Sequence, residues 1–297
     1  MVITMNLHAL RIFTKVADLG SITAAANELL LSQPAVTIQI RNLEKELGMK
    51  LTKSKGRGIQ LTEEGRFVYE QGLRLFHLEA QIEDKLKLFV AKEERIHIAT
   101  SYIPINYVLP EYIANYKLMN PNVEFFVSLG NVKSVEDKVR RYEADFGFVV
   151  QSNIGHEELY FEKLMEVEFV FVAHPSHPLA NQIVSLSALS QEELIYREKG
   201  SSTRDLLEAV FYAQNCPLPK IGLQMQGLFE SLKAVEAGYG IVLVPHLSVT
   251  NSIETNRLAP IFIKNVEIKQ SLFICTRKSE LTNPTFVSYL QEYFISK

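Results

Sequence analysis

LRIFTKVADLGSITAAANELLLSQPAVTIQIRNLEKELGMKL, residues 10–51, decides the reading of this chain. Leu7, Leu10, Phe13, Val16 and Ala17 recur at helical spacing, and Gly20 follows where a left-handed residue most easily ends a helix. Ser21 then offers an N-cap to a second helix through Ala24, Ala25 and Ala26, whose small side chains let a neighbouring helix approach closely. A tight turn at Leu30 and Leu31 leads to Ser32, a second N-cap, with Pro34 in the first turn where a missing N–H is harmless. The third helix runs to Leu47 and stops at Gly48. Two short helices, a tight turn and a third helix with Val36, Ile40 and Leu43 turned inward predict a helix-turn-helix.

The opposite face of the third helix offers Gln33, Thr37, Gln39 and Arg41, short polar groups suited to base edges, with Arg41 suited to phosphate. Lys50 to Leu61 reads as a hairpin with Gly56 and Gly58 at its tip and Lys53, Lys55 and Arg57 around them, a basic wing beside the recognition helix. Polar residues on one helix face are often only a solvated face. The capped helix, the alanine-rich partner and the basic glycine hairpin, in that order, point instead to double-stranded DNA. Charge agrees: the chain carries a net charge of -3, yet residues 1–66 hold nine Lys and Arg against six Asp and Glu.

Thr62 caps a further helix whose first turn holds Glu63 and Glu64. Its periodicity persists through Phe67, Leu73, Phe76, Ile82, Leu86 and Phe89, too long a stripe for a small winged domain to cover alone. Pairing with a second copy is expected, giving a homodimer or homotetramer, with packing inside one chain as the alternative.

From Ile96 the pattern changes to short apolar strands alternating with helices. IHIAT (96–100), VEFFVSL (123–129) and DFGFVV (145–150) are separated by helices near Pro104–Met119 and Val135–Tyr142. FVFVAH (169–174), ELIYRE (193–198), IGLQM (221–225) and IVLVP (241–245) follow, with helices near Thr203–Asn215 and Phe229–Ala237, then SLFICT (271–276) and a last helix from Pro284 to Ile295. This alternation predicts two α/β lobes built on parallel sheets, joined by crossing strands and enclosing a cleft. The expected division is a winged helix-turn-helix at 1–62, a linker helix at 63–92 and a two-lobed domain at 93–297. Lobe 1 is placed at about 93–165 and 270–297, and lobe 2 at about 166–269.

Ligands of such sheets bind beyond the strand ends, where this chain has Thr100-Ser101-Tyr102, Gly130-Asn131 and Gly200-Ser201-Ser202-Thr203-Arg204. Hydroxyls and free helix N–H groups there suit a small anion, and Arg204 offers a fixed charge. Plain N-capping is the competing reading for each Ser and Thr. An enzyme and a free solute-binding protein are the rival functions, but no GxGxxG, P-loop, GxSxG or HExxH is present. His174 and His177 around Pro175 read as a surface loop, and no metal or other cofactor is expected. Cys216 and Cys275 lie in neither a CxxC nor a metal spacing; Cys275 reads as a buried thiol, and Cys216 as the one candidate for oxidation. The start lacks a signal-peptide pattern and no run is long enough to span a bilayer, so a cytoplasmic protein without a membrane partner is expected.

Residues 10–51, followed by LTEEGRFVYEQG (61–72), resemble the N-terminal signature of the LysR-type transcriptional regulators almost position by position. The resemblance implies that Gln33, Pro34 and Thr37 meet DNA and that Lys53 takes a wing position usually held by arginine, with Thr52 where phenylalanine is usual. Further along, IATSYIPINYVLP (98–110), GNVKSV (130–135), REKGSSTRD (197–205) and VEAGYGIVLVP (235–245) are similar to landmarks of LysR-type effector domains. Those domains share the fold of periplasmic solute-binding proteins. The resemblance implies effector contacts at Ser101, Tyr102, Asn131, Ser201, Thr203 and Phe229. Tyr102, Ile103 and Val132 replace residues that often carry hydroxyls, which implies a smaller or less polar pocket wall in lobe 1. The expected function is a DNA-binding regulator, not an enzyme, switched by a small-molecule effector, with RNA polymerase as a further candidate partner.

Overall fold

The computed structural model describes residues 5–55, 58–91, 94–152, 155, 157–278 and 284–295. The chain forms two compact units, Met1–Lys92 and Glu93–Lys297.

In the first unit, α1 (Leu7–Leu19) ends at left-handed Gly20, and Ser21 caps α2 (Ile22–Glu28) by accepting from the Ala24 N–H. Ser32 caps α3 (Gln33–Leu47) in the same way through Ala35, and Gly48, at φ 70°, lets the chain leave that helix without the clash a side chain would bring. Ile12, Val16, Ala25, Ala26, Val36 and Ile40 form one buried cluster, so the alanines of α2 do let α1 and α3 close over it. The hairpin is β1 (Thr52–Lys55) paired with β2 (Gly58–Leu61), and Gly58 is the first paired residue of β2.

Thr62 then accepts from the Gly65 N–H at 2.8 Å and starts α4 (Glu63–Ala91), 29 residues and roughly 44 Å long. A Cβ on Gly65 would stand 1.9 Å from the Leu51 carbonyl oxygen, so only glycine lets this helix start against the backbone just before β1. Val68, Tyr69 and Phe76 of α4 pack on the cluster around Phe13 and Leu43, and Arg11 lies over the Phe76 ring while pairing with Glu79. Phe67, Ile82 and Leu86 of the stripe stay exposed.

The second unit begins with β3 (Glu94–Thr100), α5 (Tyr102–Tyr107), α6 (Leu109–Met119), β4 (Val123–Leu129), α7 (Val132–Arg140) and β5 (Phe146–Gln151). It continues with β6 (Leu159–Ala173), β7 (Ile183–Val184), α8 (Leu186–Leu189), β8 (Glu193–Arg197), α9 (Ser202–Ala213), β9 (Lys220–Met225), α10 (Leu228–Glu236) and β10 (Ile241–Pro245). It closes with α11 (Thr250–Glu254), β11 (Ala259–Ile263), β12 (Ile268–Arg277) and α12 (Pro284–Ile295).

The sheet order is β4-β3-β5-β12-β6-β10-β8-β9, with β11 pairing β6 and β7. It is mixed rather than parallel: β3 lies parallel to β4 and β5, and β8 to β9 and β10, but β6 and β12 run antiparallel to each other and to β10 and β5. These two are the crossing strands, and β6 passes unbroken through residue 165. Central β5 and β10 are buried on both faces, which is why FGFVV and IVLVP are continuous apolar runs.

The single helix expected over Pro104–Met119 is two, broken at Val108. Pro110 has no N–H for the Asn106 carbonyl and its ring crowds that oxygen, so the helix restarts. The helix expected from Val135 starts at Val132, because the Asn131 side chain accepts from the Ser134 N–H at 2.8 Å and caps it there.

Candidate functional site

In the first unit, Gln33, Pro34, Thr37, Ile38 and Arg41 share one face of α3. With Ser21 and Thr23 at the start of α2 and Gly58 and Ile59 of β2, they line an open depression of about 580 Å³. Gln33, Pro34, Ile38 and Arg41 are exposed, and the Thr37 hydroxyl donates to the Gln33 carbonyl at 2.9 Å. Gln39, expected on this face, is not part of it: two residues beyond Thr37 it lies about 160° around the helix. Ser32 serves as the cap, and Lys53 is exposed on β1. The backbone of Lys55 ends β1, while its side chain and Arg57 lie outside the described residues.

Glu44, on the inner side of α3, holds the hairpin in place. Its Oε1 accepts from the N–H groups of Leu51 and Thr52 at 3.0 and 3.3 Å and from the Thr52 hydroxyl at 3.4 Å, and its Oε2 from Lys50 at 2.7 Å. Burial acts to raise its pKa, but the Lys50 hydrogen bond, the two backbone donors and the Lys50 charge outweigh it and hold the carboxyl below its ordinary range. Charge in the sequence suggests a surface glutamate; only the fold shows it 7% exposed.

In the second unit, a cleft of about 370 Å³ lies between the lobes. Ser101, Tyr102, Gly130 and Asn131 approach from the first lobe, and Arg197, Gly200, Ser201, Ser202, Thr203 and Gln226 from the second. The starts of α5, α7, α9 and α10 all border it. Asn131 is committed to its cap, whereas Ser201 precedes α9 without capping it. The Ser101 hydroxyl oxygen is buried and has no hydrogen-bond partner among the described residues, a costly state for a polar group unless something else supplies one. A second depression of about 290 Å³, beside β6, β11 and β12, is lined by Phe169, Phe171, Ile261 and Ile268 and by none of the α-helix starts that border the cleft.

The family description "LysR substrate binding domain" matches residues 91–294, and "Bacterial regulatory helix-turn-helix protein, lysR family" matches residues 7–66. The chain belongs to the LysR family of transcriptional regulators. The chain named "Uncharacterized HTH-type transcriptional regulator YeiE" from Escherichia coli K12 is 31% identical over 282 residues, 94% of each chain. Full-length CbnR, crystallised with its target DNA, superposes with a TM-score of 0.69 at 20% identity, covering 98% of this chain and 99% of that one. The CcmR regulatory domain of Synechocystis PCC6803 in complex with 2-PG superposes with a TM-score of 0.62 at 21% identity, covering 68% of this chain and 98% of that one. This LysR regulator is therefore a DNA-binding protein with an effector domain and belongs to a family that is not enzymatic. The helix-turn-helix also removes the free solute-binding alternative.

Two residues expected at the regulator's cleft are not among its lining. Arg204 is engaged elsewhere: its Nε binds Glu208 at 2.9 Å, one terminal nitrogen binds the Arg197 carbonyl and the Gln224 side chain, and it lies over the Tyr196 ring. Phe229 is 59% exposed, and its neighbour Leu228 lines the cleft instead. The arginine that does line it is Arg197, overlooked in the sequence because it ends a strand rather than starting a helix. It is 9% exposed, bidentate to Glu198 at 2.9 and 3.1 Å and bonded to the Gln226 carbonyl at 2.8 Å. Ile38 was overlooked too; its spacing from Pro34 and Arg41 was the available signal.

Cys275 is buried and its thiol is pushed up to about 12 by burial first and by Glu136 second, so it forms almost no thiolate. His174 binds the Ser176 hydroxyl and His177 accepts from the Leu179 N–H, which makes that segment a self-bonded turn. No group of metal-binding side chains occurs among the described residues, and no helix among them is long and apolar enough to cross a membrane.

Proposed function

We propose that this regulator reads duplex DNA with Gln33, Pro34, Thr37 and Arg41, steadied by the capped start of α3 at Ser32, while Lys53, Lys55 and Arg57 of the wing meet phosphate. A small anion held between the lobes switches it. The division of labour follows the units, with 1–62 as the DNA head, 63–92 as the helix joining copies of the chain and 93–297 as the sensor. The buried, unpartnered Ser101 hydroxyl at the cleft carries the effector reading. With Tyr102 and Asn131 on its own wall, and Ser201, Ser202, Thr203 and the N–H groups at the start of α9 on the facing one, it forms a set of donors suited to a carboxylate or phosphate. The 2-PG held by CcmR is a ligand of this class.

The exposed Phe67, Ile82 and Leu86 on α4 support self-association, as a homodimer or homotetramer. The regulator works in the cytoplasm, with RNA polymerase as its further partner on DNA. Anion binding shifts the balance between two arrangements of the assembly by no more than its differential affinity for them.

A thermal-shift screen of the full-length protein tests the sensor, using small carboxylates, phosphorylated acids including 2-PG, and inorganic oxyanions. A ligand at a hundred times its Kd adds about 2.7 kcal/mol, a rise of roughly 5–10 °C for a unit of this size. The rise is expected to vanish in Ser101→Ala and Thr203→Val. A rise that survives both variants, or no rise with any anion, overturns the cleft reading.

A further inference from the structure

Ile38 is 54% exposed on α3, between the base-reading candidates rather than on the core side. Isolated exposed apolar residues are common and need no explanation; the position of this one is what matters. It shares its face with Pro34, which presents a ring and no N–H, and with Thr37, whose one hydroxyl proton is committed to the Gln33 carbonyl 2.9 Å away. The γ-methyl is the other branch of that threonine. The centre of the face is therefore apolar, with the hydrogen-bonding groups Gln33 and Arg41 toward its ends.

An isoleucine cannot exchange hydrogen bonds with a base edge, so it cannot read the donor and acceptor pattern of the major groove. The one apolar group displayed there is the 5-methyl of thymine. An isoleucine that stays in water in the free protein gains by covering that methyl and gains less over the bare edge of cytosine. We propose that Ile38 is a specificity-determining residue that selects thymine through its 5-methyl group. The inference rests on α3 being the base-reading helix.

The test starts from duplexes enriched out of a random library by the full-length wild-type protein. In the best duplex, thymidine is replaced by deoxyuridine one position at a time, which removes only the methyl, and Kd is measured at fixed salt. One or two positions are expected to lose about fourfold in affinity, the value of one buried methyl-sized group, and Ile38→Ala is expected to erase that loss at the same positions. Ile38→Val is expected to keep part of it. At such a position, 5-methylcytosine should bind better than cytosine.

Enrichment of a specific duplex that is indifferent to deoxyuridine everywhere overturns the inference and leaves DNA reading by α3 intact. A deoxyuridine penalty that is undiminished in Ile38→Ala also overturns it. Failure of the wild type to enrich any duplex over random DNA overturns both.

Discussion

Glu44→Ala is expected to open the DNA-binding unit at its hairpin and speed hydrogen exchange at the Leu51 and Thr52 amides about a hundredfold. Both N–H groups donate to Oε1 of this one carboxylate, and Leu51 is fully buried at 0% exposure. Stranding them costs about 3 kcal/mol between them. Lys50 matters less, because its own side chain is 77% exposed and its charge is largely screened. Glu44→Gln keeps one acceptor oxygen and should cost about 1 kcal/mol.

The same carboxylate sets a pH dependence. Its pKa in the folded state is lowered from an ordinary value of 4.5. Its contribution is therefore complete above that value and is lost as the pH falls through the folded pKa. Hydrogen exchange and DNA affinity followed from neutral pH downward should show the hairpin loosening below about pH 4.5 in the wild type and no such step in Glu44→Ala. A variant with wild-type protection at Leu51 and Thr52 would refute this account of the hairpin.

Arg277→Leu is expected to be the most damaging single change in the sensor unit, lowering its thermal midpoint by roughly 6–12 °C, or about 3 kcal/mol. Arg277 is 4% exposed, and one of its terminal nitrogens donates to the Val139 and Ala144 carbonyls at 2.6 and 2.7 Å. Its guanidinium lies 4.4 Å from the ring of Tyr142, a residue held at φ 62°, where side chains other than glycine's are rarely found. Leucine would leave the Ala144 carbonyl without this donor, the Val139 carbonyl with only the Tyr142 N–H at 3.2 Å, and Tyr142 without the guanidinium over its ring. Arg277→Lys should lose less, because it keeps the charge but not the planar fork. The effect reaches the cleft, since α7 runs from Val132 at the cleft to Val139, whose carbonyl Arg277 binds. Differential scanning calorimetry with and without an effector anion would show both losses; an unchanged midpoint would dismiss the role.

Much of the first unit was legible because its rules are short-ranged. Gly20, Ser21, Ser32, Pro34, Gly48 and Thr62 each act on backbone groups within about four residues, so caps and stops could be placed one by one. The break at Val108 was equally local and Pro110 marks it, yet the single helix expected over Pro104–Met119 missed it. The short elements β7, α8, α11 and β11 were not legible, since two to five residues carry too little periodicity to separate from a loop. Nor was strand direction: an apolar run reads the same whether its neighbour is parallel or antiparallel, which is how β6 and β12 came to be expected in a parallel sheet.

By itself, the sequence determined the helix-turn-helix, the basic hairpin, the long helix and the α/β alternation, together with the family signature on residues 10–51. All of these rest on local backbone preference and the spacing of apolar residues. Tertiary structure alone decided the partners. Arg197 rather than Arg204 lines the cleft because the sheet order brings the end of β8 beside Gln226, 29 residues away, while α9 turns Arg204 onto Glu208 and Tyr196. Glu44 became a buried acceptor because the chain after Gly48 folds back across it. Side-chain role depends on which distant groups arrive within hydrogen-bond reach, and that is set by packing, which local spacing does not encode.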